Sequence, residues 1–263
     1  MKSVNAALIQ ADLAWEDKKT NLNRLEKMIK SQEKAEIILL PELFNTAFSL
    51  KNAALYEDMN GPAVEWLCNQ SIKQGADIAG SVLIKEDNKV YNRLIWVSAG
   101  EISGYYDKRH LFRMGNEHQW ISSGQKNRVI QSHGLLFMPQ ICYDLRFPVW
   151  HRNQVENGRF KYDVLTFHAN WPEVRIQAWR MLLIARAIEN QAYVVGINRC
   201  GVDGNGIFHS GESMVVGPQG NILAEASRGK ESILHFTMYH DDLISWRNNF
   251  QVSNDWDDFK ITD

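Results

Sequence analysis

Cys142 lies between an apolar run and a charged one, in residues 140–148 with the sequence QICYDLRFP. This pattern predicts a strand end where the chain turns, and α/β folds place reactive groups at strand ends. An ionised cysteine at such a place would be a better nucleophile than water. The alternative interpretation is a buried cysteine that packs as a small hydrophobic side chain.

Glu42 and Lys108 are two further candidates for chemistry. Glu42 follows the apolar residues 37–41, and its place in PELF (41–44) predicts a carboxylate close to the core. A buried carboxylate needs a compensating partner, although a strand-end acid bonded to nearby backbone would also satisfy this need. Lys108 lies in YYDKRHLF (105–112), and its alternative is a lysine in a solvated loop.

These three residue types together suit the hydrolysis of a carboxamide. The reaction needs a nucleophile, a base that passes the proton to the departing ammonia, and a positive charge for the oxyanion that develops. Cysteine, glutamate and lysine can fill these roles in that order. Their positions along the chain do not by themselves show that they converge.

A papain-like cysteine and histidine pair is a competing hypothesis. Of the eight histidines, four are candidates for such a pair: His110, His118, His168 and His209. The sequence around Cys142 lacks a protease-type signature, so we expect these histidines to be structural or peripheral.

The other cysteines and the glycine-rich segment suggest no second centre. Three widely spaced cysteines, an odd number, argue against a disulfide framework and against a structural metal site. Cys200 is predicted to pack in the core or at a sheet end. Residues 201–206, GVDGNG, lack the flanking elements of a phosphate-binding loop and are predicted to form a surface loop.

Composition limits the class of protein. The chain has 263 residues, 44% hydrophobic and 23% charged, which favours one large domain. A formal net charge of −2 without a dense basic run argues against nucleic acid and membrane surfaces as partners. The N-terminal sequence has no apolar stretch long enough for a signal peptide, and no later segment could span a bilayer, so a cytoplasmic location is expected.

The elements that must position these residues alternate along the chain between apolar and amphipathic segments. Helices are predicted at 21–31, 62–74 and 173–191. Strands are predicted at 4–9, 37–40, 77–85, 91–98, 129–131, 135–138, 164–167, 193–197, 213–216, 222–226 and 232–236. The alternation predicts an α/β fold in which sheets are covered by helices.

Three segments carry a resemblance to a known family. PELF (41–44), YDKRHLF (106–112) and ICYDLRFP (141–148) resemble the signature segments of the carbon–nitrogen hydrolase family, or nitrilase superfamily, and the similarity continues over nearly the whole chain. The resemblance implies a four-layer α-β-β-α sandwich over residues 1–247. Residues 248–263 would then be a C-terminal tail, loose or docked on a partner subunit of a homodimer or larger homo-oligomer.

The resemblance also implies roles for individual residues. Glu42 corresponds to the general base, Lys108 to the oxyanion-stabilising cation and Cys142 to the nucleophile. Glu117 corresponds to a supporting glutamate that holds the lysine and the substrate, with a solvated loop acid as its alternative. The backbone N–H of Tyr143 corresponds to a second oxyanion donor, and neither a metal nor an organic cofactor is expected.

The longer motifs are most similar to the bacterial omega-amidase branch. This implies a small-molecule amide substrate, 2-oxoglutaramate or 2-oxosuccinamate, whose carboxylate requires a cation or several donors. The candidate substrate-binding residues are Asn170, Trp171, Arg113, Arg146 and Arg175. Arg146 has the alternative of pairing with Asp144. The alternative functions are an amidase for deaminated glutathione or N-carbamoyl compounds, and a non-catalytic binding protein on the same fold.

Overall fold

The computed structural model describes residues 2–261. Its strands are β1 (Ser3–Gln10), β2 (Ile37–Leu39), β3 (Asp77–Glu86), β4 (Lys89–Ser98), β5 (Glu101–Asp107), β6 (Ile130–Ser132), β7 (Leu135–Ile141), β8 (Val155–Glu156), β9 (Arg159–Phe160), β10 (Val164–Ala169), β11 (Tyr193–Asn198), β12 (Cys200–Val202), β13 (Phe208–Ser210), β14 (Met214–Val216), β15 (Ile222–Glu225) and β16 (Ser232–Tyr239). Its α-helices are α1 (Lys18–Ser31), α2 (Pro62–Gln74), α3 (Ile176–Asn190) and α4 (His240–Asn249).

Two six-stranded sheets have the same plan. The first has the order β16-β1-β2-β3-β4-β5, and the second has the order β15-β14-β11-β10-β7-β6. In the first sheet β1, β2 and β3 run parallel, and in the second β7, β10 and β11 run parallel. In each sheet antiparallel strands flank the three parallel strands. The carboxyl ends of the parallel strands therefore lie together at one end of the sheet.

The apolar faces of the sheets and helices determine how the layers pack. Side chains such as Leu8, Trp96, Phe137 and Val195 fill the space between the two sheets. Helices α1 and α2 cover the outer face of the first sheet, and α3 covers the outer face of the second. This arrangement confirms the predicted four-layer α-β-β-α sandwich.

The helix and strand predictions agree with the structure where the sequence pattern is strong. The predicted helix at 173–191 is a 3-10 turn at Glu173–Arg175 followed by α3, which ends at Asn190. Among the strands and α-helices longer than three residues, two were not predicted, because β5 is an edge strand with exposed residues and α4 buries only Leu243 and Arg247. The prediction of a surface loop at 201–206 is wrong in part, since residues 201 and 202 belong to β12, which pairs with β13.

The described part of the C-terminal tail packs on its own chain. Gln191 Nε2 donates to the Phe250 oxygen at 2.6 Å, and the Trp256 ring contacts Phe160 at 5.7 Å between centroids. Residues 262 and 263 of the predicted tail lie outside the described residues, and docking on a partner subunit stays a prediction. Across residues 2–261 every helix falls short of the length and hydrophobicity that crossing a bilayer requires.

Candidate active site

The candidate residues lie where strands end. Cys142 directly follows β7, Asn170 follows β10, Lys108 follows β5, and Glu42 is three residues beyond β2. Because parallel strands bring their carboxyl ends to one edge and the two sheets face each other, these residues meet at one end of the sandwich. The fold therefore supplies the convergence that sequence positions could not show.

Glu42 is a fully buried carboxylate with three close donors. Oε1 accepts from Lys108 Nζ at 2.8 Å and from Asn92 Nδ2 at 2.8 Å. Oε2 accepts from the backbone N–H of Asn170 at 2.8 Å. These contacts compensate for the cost of burying the charge and fix the orientation of the carboxylate.

Lys108 is also buried, with 1% of its surface exposed, and it bridges two glutamates. Its Nζ lies 2.8 Å from Glu42 and 3.0 Å from Glu117 Oε1. Burial alone would lower the pKa of Lys108, but Glu117 and Glu42 outweigh this effect and raise the pKa. The lysine is therefore a fixed cation at neutral pH, and its solvated-loop alternative is wrong.

Glu117 is fully buried in the 3-10 turn Glu117–Gln119, which rules out the solvated-loop alternative for this residue as well. Its Oε2 accepts the Phe112 N–H at 2.5 Å, while Oε1 holds Lys108. Burial raises the pKa of Glu117, the Lys108 charge opposes this, and the Glu42 charge adds to it. Glu117 thus holds the lysine together with Glu42.

Cys142 begins the 3-10 turn Cys142–Arg146 with a φ of 46°, a left-handed conformation uncommon outside glycine. Asp144 holds this turn by accepting from Ile141 N at 3.0 Å and from Tyr106 Oη at 2.9 Å. The N–H of Tyr143 lies in the first turn, where backbone donors lack partners within the helix. Burial and the Glu42 charge raise the pKa of the Cys142 thiol more than Lys108 lowers it.

The histidines do not form a pair with Cys142. The largest charge effects on its thiol come from Glu42, Lys108 and Glu117. His110 stacks on Phe147 with centroids 3.9 Å apart and bonds Asp144 at 2.8 Å, and His168 Nδ1 donates to the Leu40 oxygen at 2.6 Å. His118 is exposed. The structure therefore gives no support to a papain-like arrangement within the described residues.

A cavity of about 360 Å³ opens over the thiol. Its lining includes Lys108, Cys142, Tyr143, Asn170 and Trp171, which the sequence predicted for the site. Trp171 is held by two bonds, from its N–H to Asn198 Oδ1 and from its Nε1 to the Arg175 oxygen, both at 2.8 Å. The cavity has the size and mixed polarity of a small-molecule site.

Two of the three candidate arginines line this cavity. Arg146 lies over the Trp171 ring at 4.9 Å, and Arg175 lies over the Phe112 ring at 5.1 Å. Within residues 2–261 no ion pair joins either arginine to a carboxylate, so the alternative pairing of Arg146 with Asp144 is wrong. Arg113 is exposed and outside the cavity lining, which corrects its predicted place in the pocket.

Several functional candidates were missed from the sequence. Asn92, in β4, donates a hydrogen bond to Glu42. The feature of the sequence that could have indicated this role is a polar residue within the otherwise apolar run of that strand. Asp203, Asn205 and Ile207 come from the β12–β13 hairpin and line the cavity, although their segment resembled an ordinary loop. His209, which was expected to be structural or peripheral, lines the cavity as well. Across residues 2–261, no cluster of three or more His, Cys, Asp or Glu side chains has an arrangement able to hold a metal ion.

Comparison with known proteins gives consistent matches. Residues 5–248 match the family described as Carbon-nitrogen hydrolase. The chain is 38% identical to the omega-amidase YafV of Yersinia enterocolitica, over 99% of this chain and 100% of that protein. It is 34% identical to the 2-oxoglutaramate amidase of Bacillus subtilis, over 94% of this chain and 95% of that protein.

The fold is similar to that of a solved structure. A CN-hydrolase superfamily protein from Xanthomonas campestris, with an arsenic adduct in its active site, superposes with a TM-score of 0.96 at 37% identity. The match covers 100% of both chains.

Proposed function

This chain belongs to the carbon–nitrogen hydrolase family, and we propose that it hydrolyses the terminal carboxamide of 2-oxo dicarboxylic acid monoamides such as 2-oxoglutaramate and 2-oxosuccinamate. The products are the dicarboxylic acid and ammonia. The names of the relatives from Yersinia enterocolitica and Bacillus subtilis support an amidase of this type.

The first half of the proposed reaction forms a thioester. Because its raised pKa keeps the Cys142 thiol protonated at rest, Glu42 takes the proton as sulfur attacks the amide carbon. The carbonyl oxygen becomes an oxyanion, which Lys108 and the Tyr143 N–H stabilise. The C–N bond then breaks, the nitrogen takes the proton from Glu42, and ammonia leaves.

The second half releases the acid. Glu42 removes a proton from water, and the resulting hydroxide adds to the thioester carbon to form a second oxyanion on the same donors. Collapse breaks the C–S bond, and Glu42 returns the proton to the sulfur. Glu117 keeps Lys108 in place during both halves through its 3.0 Å contact.

The observation that carries the substrate proposal is the pair Arg146 and Arg175. Both lie in the cavity that contains Cys142, and neither has a carboxylate partner among the described residues. Burial lowers the pKa of Arg175, yet a guanidinium remains charged at neutral pH. A substrate carboxylate at the end remote from the amide supplies the missing anion, and arginine binds it in a bidentate geometry.

Ammonia release over a panel of amides tests the proposal. Each oxo acid amide is compared with a neutral aliphatic amide of equal length, a nitrile, an N-carbamoyl acid and deaminated glutathione. We expect kcat/KM for the oxo acid amides to exceed that for neutral amides by about 100-fold, the effect of one lost desolvated charge contact. Equal values would overturn the substrate proposal, and the absence of turnover with every compound would favour the non-catalytic alternative.

We also propose that the protein acts in the cytoplasm as a homodimer or larger homo-oligomer. Met181 and Ile188, seven positions apart on one face of α3, are 63% and 52% exposed, and an exposed apolar helix face is a surface that a second subunit would cover. Sedimentation velocity measures the oligomeric state directly.

A further inference from the structure

Asn92 contacts both of the residues proposed as base and cation. Its Nδ2 donates to Glu42 Oε1 at 2.8 Å, and its backbone oxygen accepts the Lys108 N–H at 3.0 Å. The side chain is fully buried in the middle of β4. One residue of this strand therefore holds the Glu42 side chain and the Lys108 backbone relative to each other.

The two oxygens of Glu42 are occupied unequally. Oε1 accepts from Asn92 Nδ2 and Lys108 Nζ, which fills the two hydrogen bonds that one carboxylate oxygen accepts. Oε2 has one close donor, the Asn170 N–H at 2.8 Å, and a longer contact of 3.4 Å with Asn170 Nδ2. Asn170 follows β10, and Cys142 follows the neighbouring parallel strand β7, so the Asn170 N–H places Oε2 on the side of the nucleophile.

The other end of the Asn92 amide has no compensating contact. Among the residues that the structure describes, Asn92 Oδ1 is buried without a hydrogen-bond partner. Leaving a buried carbonyl oxygen unpaired costs stability, so packing does not account for an asparagine at this position. The hydrogen bond that Nδ2 donates to Glu42 does account for an asparagine there.

We propose that Asn92 is a positioning residue: by filling Glu42 Oε1 it leaves Oε2 as the atom that takes the Cys142 proton. Through its backbone oxygen it also sets the distance between the base and the Lys108 cation. This inference rests on the proposed hydrolysis for its kinetic consequences, but its effect on the thiol does not depend on the substrate.

Other groups face the same carboxylate. Lys108 approaches from the end of β5, Glu117 from its 3-10 turn, Cys142 from the end of β7, and His209 from β13. Asn92, like Asn170, is a neutral donor to this carboxylate, so replacing its amide with an apolar side chain changes hydrogen bonding to Glu42 without changing the charge of the site.

Asn92→Leu and the smaller, equally uncharged Asn92→Ala test the proposal. The first readout is kcat and KM for ammonia release as a function of pH. The second is the rate at which iodoacetamide alkylates the Cys142 peptide, followed by mass spectrometry over the same pH range. We expect kcat to fall about 10- to 100-fold with little change in KM, the size of a lost bond to a charged group. The acid limbs of both profiles should move upward by about one pH unit.

Asn45→Leu is the matched control. Asn45 is also buried, donates its Nδ2 to a carboxylate, Glu57 Oε1, at 3.0 Å, and has an unpaired Oδ1. This variant should keep the acid limbs of the wild type. If Asn92→Leu does not fold, Asn92→Ala carries the same comparison.

The outcomes separate the two proposals. Unmoved acid limbs in the Asn92 variants, in a wild type that does hydrolyse the oxo acid amides, would overturn the role of Asn92. If the acid limb of the alkylation profile moves in the Asn92 variants but the protein releases no ammonia from those amides, the positioning role of Asn92 is supported and the proposed substrate is overturned.

Discussion

Cys142 is buried next to the Lys108 cation and the carboxylates of Glu42 and Glu117, and this environment keeps its thiol protonated in the resting site. Burial and Glu42 raise its pKa, and Lys108 only partly offsets them. A neutral thiol next to a base can lose its proton as the sulfur attacks, so the nucleophilic thiolate forms only when the substrate is bound. At the scale of residues, reactivity therefore depends on Glu42 as much as on the cysteine.

Replacing the nucleophile tests this directly. Cys142→Ala should lower amide hydrolysis by at least about 1,000-fold, because the covalent step is lost, while the fold stays intact. Steady-state ammonia release and a urea unfolding curve check the two parts. Covalent substrate found on Cys68 or Cys200 would contradict the assignment.

Glu42, Lys108 and Cys142 should act as one unit. Glu42→Gln and Lys108→Met should each be severely impaired, and the double variant should be little worse than the single ones, because effects within one catalytic unit are not additive. Single-turnover rates for the three variants measure this. Losses that simply multiply would show that the residues act independently.

The arginine pair should determine substrate charge preference. Arg175→Leu and Arg146→Leu should each lower kcat/KM for 2-oxoglutaramate by about 10- to 100-fold, because a desolvated contact with the carboxylate is lost. The neutral amide of equal length should change little. Arg113→Leu is the control, since Arg113 is exposed outside the cavity and its removal should leave both substrates unaffected.

At the scale of elements, the site depends on where β5 ends. The Lys108 N–H donates to the Asn92 oxygen at 3.0 Å, and the Lys108 oxygen accepts from the Gly124 N–H at 2.8 Å. A Cβ added at Gly124 would lie 2.1 Å from the Asp107 oxygen. The glycine therefore allows the loop to close against the strand end that carries the cation.

Gly124→Ala should displace this strand end. We expect a loss of about 1–3 kcal/mol in the free energy of unfolding, typical of overpacking, together with a lower kcat because Lys108 shifts. Urea unfolding and steady-state kinetics check both effects. Gly158→Ala, in the β8–β9 turn, should also lose stability because its φ is +73°, but the added Cβ meets no atom within 4 Å and the variant should keep its activity. Equal activity in the two variants would contradict the role of Gly124.

The sequence predicted the elements that carry apolar patterns and short motifs, and it missed those that depend on tertiary contacts. Glu42 and Cys142 follow buried strands, so their strand-end positions were predictable. Asn92 was missed because its partner Glu42 is 50 positions away in the sequence and no local pattern joins them. β5 was missed because its exposed edge weakens the apolar alternation.

At the scale of the whole molecule, buried neutral histidines make stability depend on pH. Burial lowers the pKa of His151 to about 3, and it lowers the pKa of His168 and His209 to about 4. The ordinary value of 6.5 applies once the chain unfolds. Between these values the unfolded chain binds more protons than the folded one, so stability is present above pH 6.5 and is lost as the pH falls.

The free energy of unfolding should therefore decrease between pH 7.5 and pH 5, by on the order of 2 kcal/mol for a buried histidine with these values. His168 is the sharpest test, because its Nδ1 joins β10 to the Leu40 oxygen beyond β2, and so joins the two sheets. His168→Gln should be less stable than the wild type at pH 7.5 but should lose less stability on acidification. The raised pKa of Glu117 acts in the opposite direction in both proteins and cancels in the comparison. Urea unfolding at the two pH values measures the difference in stability, and exposed His118→Gln is the control. If His168→Gln and the wild type lose the same stability on acidification, the His168 ring is not the group that titrates.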